Sequence, residues 1–377
     1  MLALLAALSA PPTFEVQTLA VDLHENCAVG DIDGDGRPDV AAGRNWYRNG
    51  DWLPRPLRDV PNKNGYSFSN SDFLLDCDAD GDLDLLAGNY FDGEVAWWEN
   101  PGGEAVLTGP LWTKHVLGDT GQNTNELNVL EDLDGDGLPE WVATQWVAAN
   151  PLQVVRLTRD EAGGLTGLKT HRITGEVPDK TGNGHGYGFG DLNGDGRKDL
   201  VVATGWYEQP ADGPWSGTWA FHADWNAKMS LPVLIDDFTG DGVADLLFGV
   251  PHDYGVKLWA GRGEEGGKLT FDERTLDASF SQAHAVHLAD VDGDGADELI
   301  TGKRVRAHNG RDPGAADPPQ VVYFDLDALE AGPRVIERGS VGIGLAVRSA
   351  DLDADGDADL VVAGKDGTQI LWNGGRP

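Results

Sequence analysis

The sequence predicts an all-β chain, a seven-bladed β-propeller of four-stranded blades whose ring is closed by the N-terminal strand. Three observations carry this. An acidic loop of one pattern recurs seven times, at intervals of 45 to 61 residues. Each copy lies between two short apolar runs. Each unit then adds an aromatic segment and a more polar one. Four strand-like runs per unit, repeated at this period, are the mark of a propeller.

The loops begin at residues 31, 76, 132, 191, 237, 290 and 351, from "DIDGDGRPD" in the first to "DLDADGDAD" in the last. The run before each loop, such as "FLL" or "NVLE", predicts the innermost strand of a blade. The run after it, such as "DLLAG" or "DLVVAG", predicts the second. Third segments carry Trp and Tyr ("NWYRNG", "VAWWEN", "QILWNG") and read as packing between blades. Fourth segments read "TKHVLG" or "KTHRITG". The last unit stops at "QILWNGGRP" without a fourth strand, and the chain opens with an orphan one, "TFEVQTLA". Residues 13–20 are therefore expected to complete the seventh blade, which removes the exposed edges. One domain over residues 13–377 follows. Ahead of it, residues 1–10 read as a truncated signal peptide, so a secreted, periplasmic or cell-surface location is expected.

A net charge of −35 argues against nucleic acid or an anionic membrane as partner. Thirteen Trp and 40% hydrophobic residues supply a core, which argues against a disordered acidic chain. No later segment approaches the roughly 20 apolar residues of a membrane span. The two cysteines differ in strand register, so no disulfide is expected.

The acidity has a local reason. In each loop, positions 1, 3, 5 and 9 carry oxygen donors and position 6 is the Gly of a sharp turn, an array that suits Ca²⁺. The expected ligands are Asp31, Asp33, Asp35 and Asp39; Asp76, Asp78, Asp80 and Asp84; Asp132, Asp134, Asp136 and Glu140; Asp191, Asn193, Asp195 and Asp199; Asp237, Thr239, Asp241 and Asp245; Asp290, Asp292, Asp294 and Glu298; and Asp351, Asp353, Asp355 and Asp359. Position 12 is never Glu, which excludes an EF-hand. Up to seven structural Ca²⁺ ions are expected. Thr239 makes the fifth loop the weakest.

These units resemble the FG-GAP/VCBS repeats of integrin-type propellers and of many secreted bacterial proteins. The resemblance covers residues 13–377 and implies a calcium-stiffened scaffold.

If every loop joins a first strand to a second, all loops share one face. The start of the first strand and the end of the second then share the other face. Aligned on the first Asp of each loop, one column reads Glu25, Asn70, Glu126, His185, Leu231, His284 and Leu345. A second includes Asn128 and Tyr187, and two more include Arg44, Asn89, Gln145 and Lys303 beside Trp146 and Arg304. Polar groups crowd into some blades, whereas blades five and seven keep Leu or Val. A symmetric scaffold has no need of this asymmetry; a ligand site does. His252, Tyr254, Trp206 and His308 are expected at the same mouth, in or beside long aromatic loops. Such a surface suits a carbohydrate or another small polar ligand.

Blade four, "GHGYGFGDLNGDGRKDLVVATGWYEQP", and blade six, "SQAHAVHLADVDGDGADELITGKRVRAHNG", resemble the propeller of aldos-2-ulose dehydratases. The resemblance implies a lyase or dehydratase acting on a keto-sugar or uronate with divalent-metal help. It implies catalytic roles for His185, Tyr187, His284, Lys303 and His308. Glu25, Arg44, Asn70, Asn89, Glu126, Asn128, Gln145, Trp146, Trp206, His252 and Tyr254 are expected to bind substrate. His185, His284 and Glu126 offer a place for one further divalent metal. The alternative is an integrin-like module that binds glycan or protein without turnover.

Overall fold

The computed structural model describes residues 11–109, 111–147, 150–174 and 184–374. Seven four-stranded antiparallel sheets form the blades of the propeller. Their innermost strands are Ala28–Gly30, Ser71–Leu75, Asn128–Glu131, Gly188–Gly190, Leu234–Asp236, Val286–Ala289 and Val347–Ala350. The N-terminal strand Phe14–Ala20 pairs with Gly367–Asn373, with Phe14 opposite Asn373, and completes the seventh blade as expected. The proposed signal peptide, residues 1–10, lies outside the described residues. Among those described, no helix is long and apolar enough to cross a membrane.

Second strands such as Asp199–Val202 and Asp359–Gly364 are buried throughout, because sheets cover both of their faces. The third-strand residues Trp46 and Trp372 pack between blades and are almost fully buried, as is Trp141 on the second strand of blade three. Cys27 and Cys77 are buried free thiols.

Each acidic loop is also tied to its hairpin by the residue at position 9. Asp39 is fully buried; its Oδ2 accepts from Ile32 N at 2.9 Å and its Oδ1 from Asn49 N at 2.7 Å. Asp84, Asp199 and Asp359 repeat both bonds. Glu140 and Glu298 repeat the first. In the fifth loop the first bond to Asp245 comes from Thr239, one residue later than elsewhere. The position-9 carboxylate thus fixes one backbone amide where it is Glu and two where it is Asp, amides that the turn would otherwise leave unpaired.

Candidate functional site

All the acidic loops lie at one end of the first and second strands. The other ends converge on a cavity of about 930 Å³. Glu25, Asn70, Glu126 and Leu345 reach it from just before first strands; Tyr90, Phe91, Trp146, His252, Arg304 and His308 reach it from just after second strands. The wall is completed by Asn309 and Arg311 and by a small hairpin, Asn62–Lys63 paired with Tyr66–Ser67. Its turn residues, Asn64 and Gly65, have φ of 55° and 79°, the two left-handed positions that an Asn-Gly turn supplies.

At the base, Arg304 is 4% exposed and joins two carboxylates. Its Nε and Nη2 donate to the two oxygens of Glu25 at 2.7 and 3.0 Å, and its Nη1 donates to Glu126 Oε1 at 2.7 Å. Glu126 Oε2 also accepts from Trp146 Nε1 at 2.9 Å. Burial works to raise the Glu126 carboxyl, but His185 and Arg304 outweigh it and hold the group at about 2. Glu126 is a fixed carboxylate, not a proton carrier. Trp146 stands edge-on to His185, and a Cβ at Gly184 (φ 88°) would come within 2.6 Å of the Trp146 ring, so only Gly fits there.

Beside Glu126 three imidazoles meet. His185 Nε2 lies 2.9 Å from His252 Nε2 and 3.4 Å from Glu126 Oε2. The His284 ring centroid is 5.1 Å from that of His185 and 4.8 Å from that of His252. One ring nitrogen of each of the three can be chosen so that all lie within 4.8 Å of one another. Two tautomers follow from their partners. His284 Nδ1 faces Gln282 O at 3.1 Å and must donate, so its Nε2 carries a bare lone pair, buried and without a partner. His252 Nδ1 faces Asp312 Oδ2 at 2.9 Å and donates to it, so its Nε2 accepts from His185 Nε2 at 2.9 Å. His185 Nδ1 is likewise buried without a partner. Burial lowers all three, His185 to about 4, so they are neutral at pH 7. Neutral imidazoles whose ring nitrogens converge beside a carboxylate fit a divalent transition metal. Orienting bonds to a carbonyl and a carboxylate on the far ring nitrogens are what metal-ligating histidines use.

Above this cluster Asp312 bridges two rings. Its Oδ2 takes His252 Nδ1 and its Oδ1 takes His308 Nδ1 at 2.8 Å, with the rings stacked at 4.1 Å. His308 is exposed at the cavity wall, and the Asp312 carboxylate holds its ring in place through Nδ1. The backbone here is strained: Arg306, His308 and Asn309 have φ of 55°, 46° and 54°.

Several residues expected at the mouth stand elsewhere. Tyr187 is 1% exposed and packs in the apolar core between blades three and four, and burial raises its phenol beyond use as a base. Lys303 is 2% exposed and its Nζ donates to Gln282 Oε1 at 2.6 Å, so it positions the His284 segment. Asn89 closes its own turn on Asp92, and Gln145 braces Gln122 and Val147. Asn128 bonds Ser71 Oγ and faces the narrower channel along the axis. Trp206 is buried against His222 and donates to Asp224. Tyr254 donates to Asp317 outside the cavity, and Arg44 donates to Val60 O. Column alignment gave height on the axis but not side-chain direction, which sheet parity and local hydrogen bonds decide. Asp312, Tyr66, Lys63 and Arg311 were not singled out; the Asn-Gly turn of the hairpin was the signal available for two of them.

Residues 132–202 and 237–301 match the family model of the FG-GAP-like repeat. No curated protein matches the chain. Among solved structures, rhamnogalacturonan lyase YesW is similar over 95% of this chain and 72% of its own, at 14% identity and a TM-score of 0.46. The periplasmic gluconolactonase PpgL of Pseudomonas aeruginosa is similar over 91% and 89%, at 14% identity and a TM-score of 0.47. The biofilm matrix protein Bap1 of V. cholerae is similar over 96% and 84%, at 10% identity and a TM-score of 0.38.

Proposed function

We propose that this propeller is an exported carbohydrate-acting enzyme that carries out β-elimination in the cavity opposite the acidic loops. The observation behind the reading is the cluster of neutral imidazoles of His185, His252 and His284, their ring nitrogens converging at the base of an aromatic-lined cavity, with the His308–Asp312 pair on its wall. Tyr66, Tyr90, Phe91 and Trp146 offer stacking faces, and Asn64, Asn70 and Asn309 offer amides, a mixture suited to sugar rings and hydroxyls.

The three histidines, with Glu126, would hold a divalent cation of the zinc or manganese kind, distinct from the calcium of the loops. Such an ion supplies electrophilic stabilisation for charge that develops on a carbonyl or carboxylate oxygen. The chain's own residues account for the proton steps. His308 Nε2 takes the proton from the carbon next to that group, and Asp312 stabilises the imidazolium. The electron pair forms a carbon–carbon double bond as the carbon–oxygen bond at the β position breaks. The departing oxygen takes a proton from Tyr66, whose phenol is kept protonated by burial. Water then restores Tyr66, and His308 returns its proton to solvent.

The test pairs metal content with product formation. Chelated protein is reloaded with calcium alone, or with calcium plus zinc, manganese or cobalt, and given uronate oligomers and keto-sugars. The expected result is ultraviolet absorbance of a conjugated double bond only with the second metal, abolished in His308→Gln. Turnover with calcium alone, or binding of sugars without turnover under every metal, would replace this reading with a binding propeller.

A further inference from the structure

We infer that the ligand of the cavity carries a carboxylate, as a uronate does, and that Lys63 and Arg311 receive it. The inference deepens the function proposed above and rests on it.

The chain carries −35 overall, yet the cavity wall presents three cations, Lys63, Arg304 and Arg311, against two carboxylates, Glu25 and Glu126. Arg304 already holds both oxygens of Glu25 and one of Glu126. Lys63 and Arg311 are exposed, and among the described residues neither has a carboxylate oxygen within 4.0 Å, although most of the chain's charged residues are acids. Lys63 Nζ instead lies 5.2 Å from the centroid of the Phe91 ring, which itself stacks on Phe68 at 4.1 Å. The ammonium is therefore held over an aromatic shelf on the wall of the cavity.

These two cations come from different blades, and the structure brings their supports together. A Cβ at Gly65, in the hairpin of Lys63, would sit 3.4 Å from Asn309 Oδ1, in the loop of Arg311. That loop holds three non-glycine residues in the left-handed region within four positions. Backbone strain of this kind persists where surrounding structure enforces it, and it clusters at ligand clamps. A divalent ion on the histidines would add further positive charge at the base. A concave, partly buried wall of one sign concentrates ligands of the other. A planar carboxylate is also the group that a guanidinium binds through two parallel hydrogen bonds. Neutralising that carboxylate makes the neighbouring carbon-bound hydrogen acidic enough for His308. A neutral keto-sugar gives Lys63 and Arg311 nothing to pair with.

The experiment measures binding, so it does not depend on turnover. Calorimetry on the full chain compares oligogalacturonate with a neutral galactose oligomer of the same length and with a keto-sugar. Wild type is expected to prefer oligogalacturonate, with affinity that falls as salt rises. Lys63→Met and Arg311→Met should each weaken it by about tenfold or more, the worth of a lost charge-assisted bond. The cobalt spectrum of both variants should match wild type, which shows that the fold and the metal cluster are intact. Equal affinity for the neutral oligomer or keto-sugar, or uronate affinity indifferent to both substitutions, overturns the inference. If cobalt binds normally in that case, the metal reading stands while the carboxylate subsite falls. If cobalt fails to bind while uronate affinity still depends on Lys63 and Arg311, the subsite stands and the metal reading falls.

Discussion

Arg304 grips Glu25 through two parallel bonds of 2.7 and 3.0 Å and reaches Glu126 with its third nitrogen at 2.7 Å, nearly shut off from solvent. One guanidinium, from just after the second strand of blade six, thus cross-links the entries of blades one and three. Lysine has one point charge and cannot reproduce this fork. Arg304→Lys should leave a buried carboxylate without a partner and destabilise the fold by about 3 kcal/mol or more. Urea denaturation of the two proteins checks this. A loss below about 1 kcal/mol would mean that solvent reaches the base of the cavity and screens the pair.

The histidine cluster separates metal binding from chemistry. His284→Ala should abolish the cobalt absorption bands with a folded chain, since His284 Nε2 has no protein partner to lose. His222→Ala, on the outer strand against Trp206, should leave them unchanged. His308→Gln should keep the bands but lower kcat by about 10² to 10⁴, the usual contribution of a positioned base, with little change in KM. A His308→Gln enzyme of normal kcat would move the base elsewhere.

The blade count, the closing strand and the face of the cavity were legible in the sequence, because each rests on a pattern repeated seven times. Glu25, Glu126, His185 and His284 were legible too, as polar breaks in an otherwise repeating column. What was not legible is aim. Asn128 and Tyr187 share a column and a parity with cavity-side positions, yet Asn128 bonds Ser71 and Tyr187 fills the core, because neighbouring blades decide what each side chain meets. Asp312 escaped notice for the opposite reason. It sits in a loop without periodicity, and only folding brings it between His252 and His308.

The seven acidic loops should not bind calcium equally. In the first, Arg48 pairs with Asp33 and Asp35; in the third, Arg156 reaches Asp134 at 3.0 Å and Asp136 at 3.3 Å. Among the described residues no cation lies within 4.0 Å of Asp76, Asp78 or Asp80 in the second loop, or of Asp351, Asp353 or Asp355 in the seventh. A guanidinium already neutralising the carboxylates competes with an incoming ion, so loops two and seven should fill first. Calorimetric titration of chelated protein should lose a tight site in Asp78→Asn and none in Asp33→Asn. Saturating calcium, at about a hundred times the dissociation constant, should stabilise the fold by about 3 kcal/mol per filled tight site. Tight sites lost equally in both variants would mean that Arg48 swings away at no cost.

Lys365 gives the pH dependence. The residue is 7% exposed, and its Nζ lies 3.7 Å from the Tyr66 ring centroid and 3.9 Å from Glu25 Oε2. Burial outweighs the pull of Glu25 and lowers the amine to about 8. An unfolded lysine titrates near 10.4. Below about pH 8 both states carry the proton, and above about 10.4 neither does. Between them the unfolded chain binds more protons, so this group's contribution to stability rises with pH across that window and is lost as pH falls back through 8. Lys365→Met removes the titration and leaves the rest of the chain unchanged. The difference in stability, wild type minus variant, should therefore climb from pH 7.5 to pH 10 in urea titrations run in parallel. A flat difference would show that Lys365 titrates as it does in water, and that the wall beneath Tyr66 is wet.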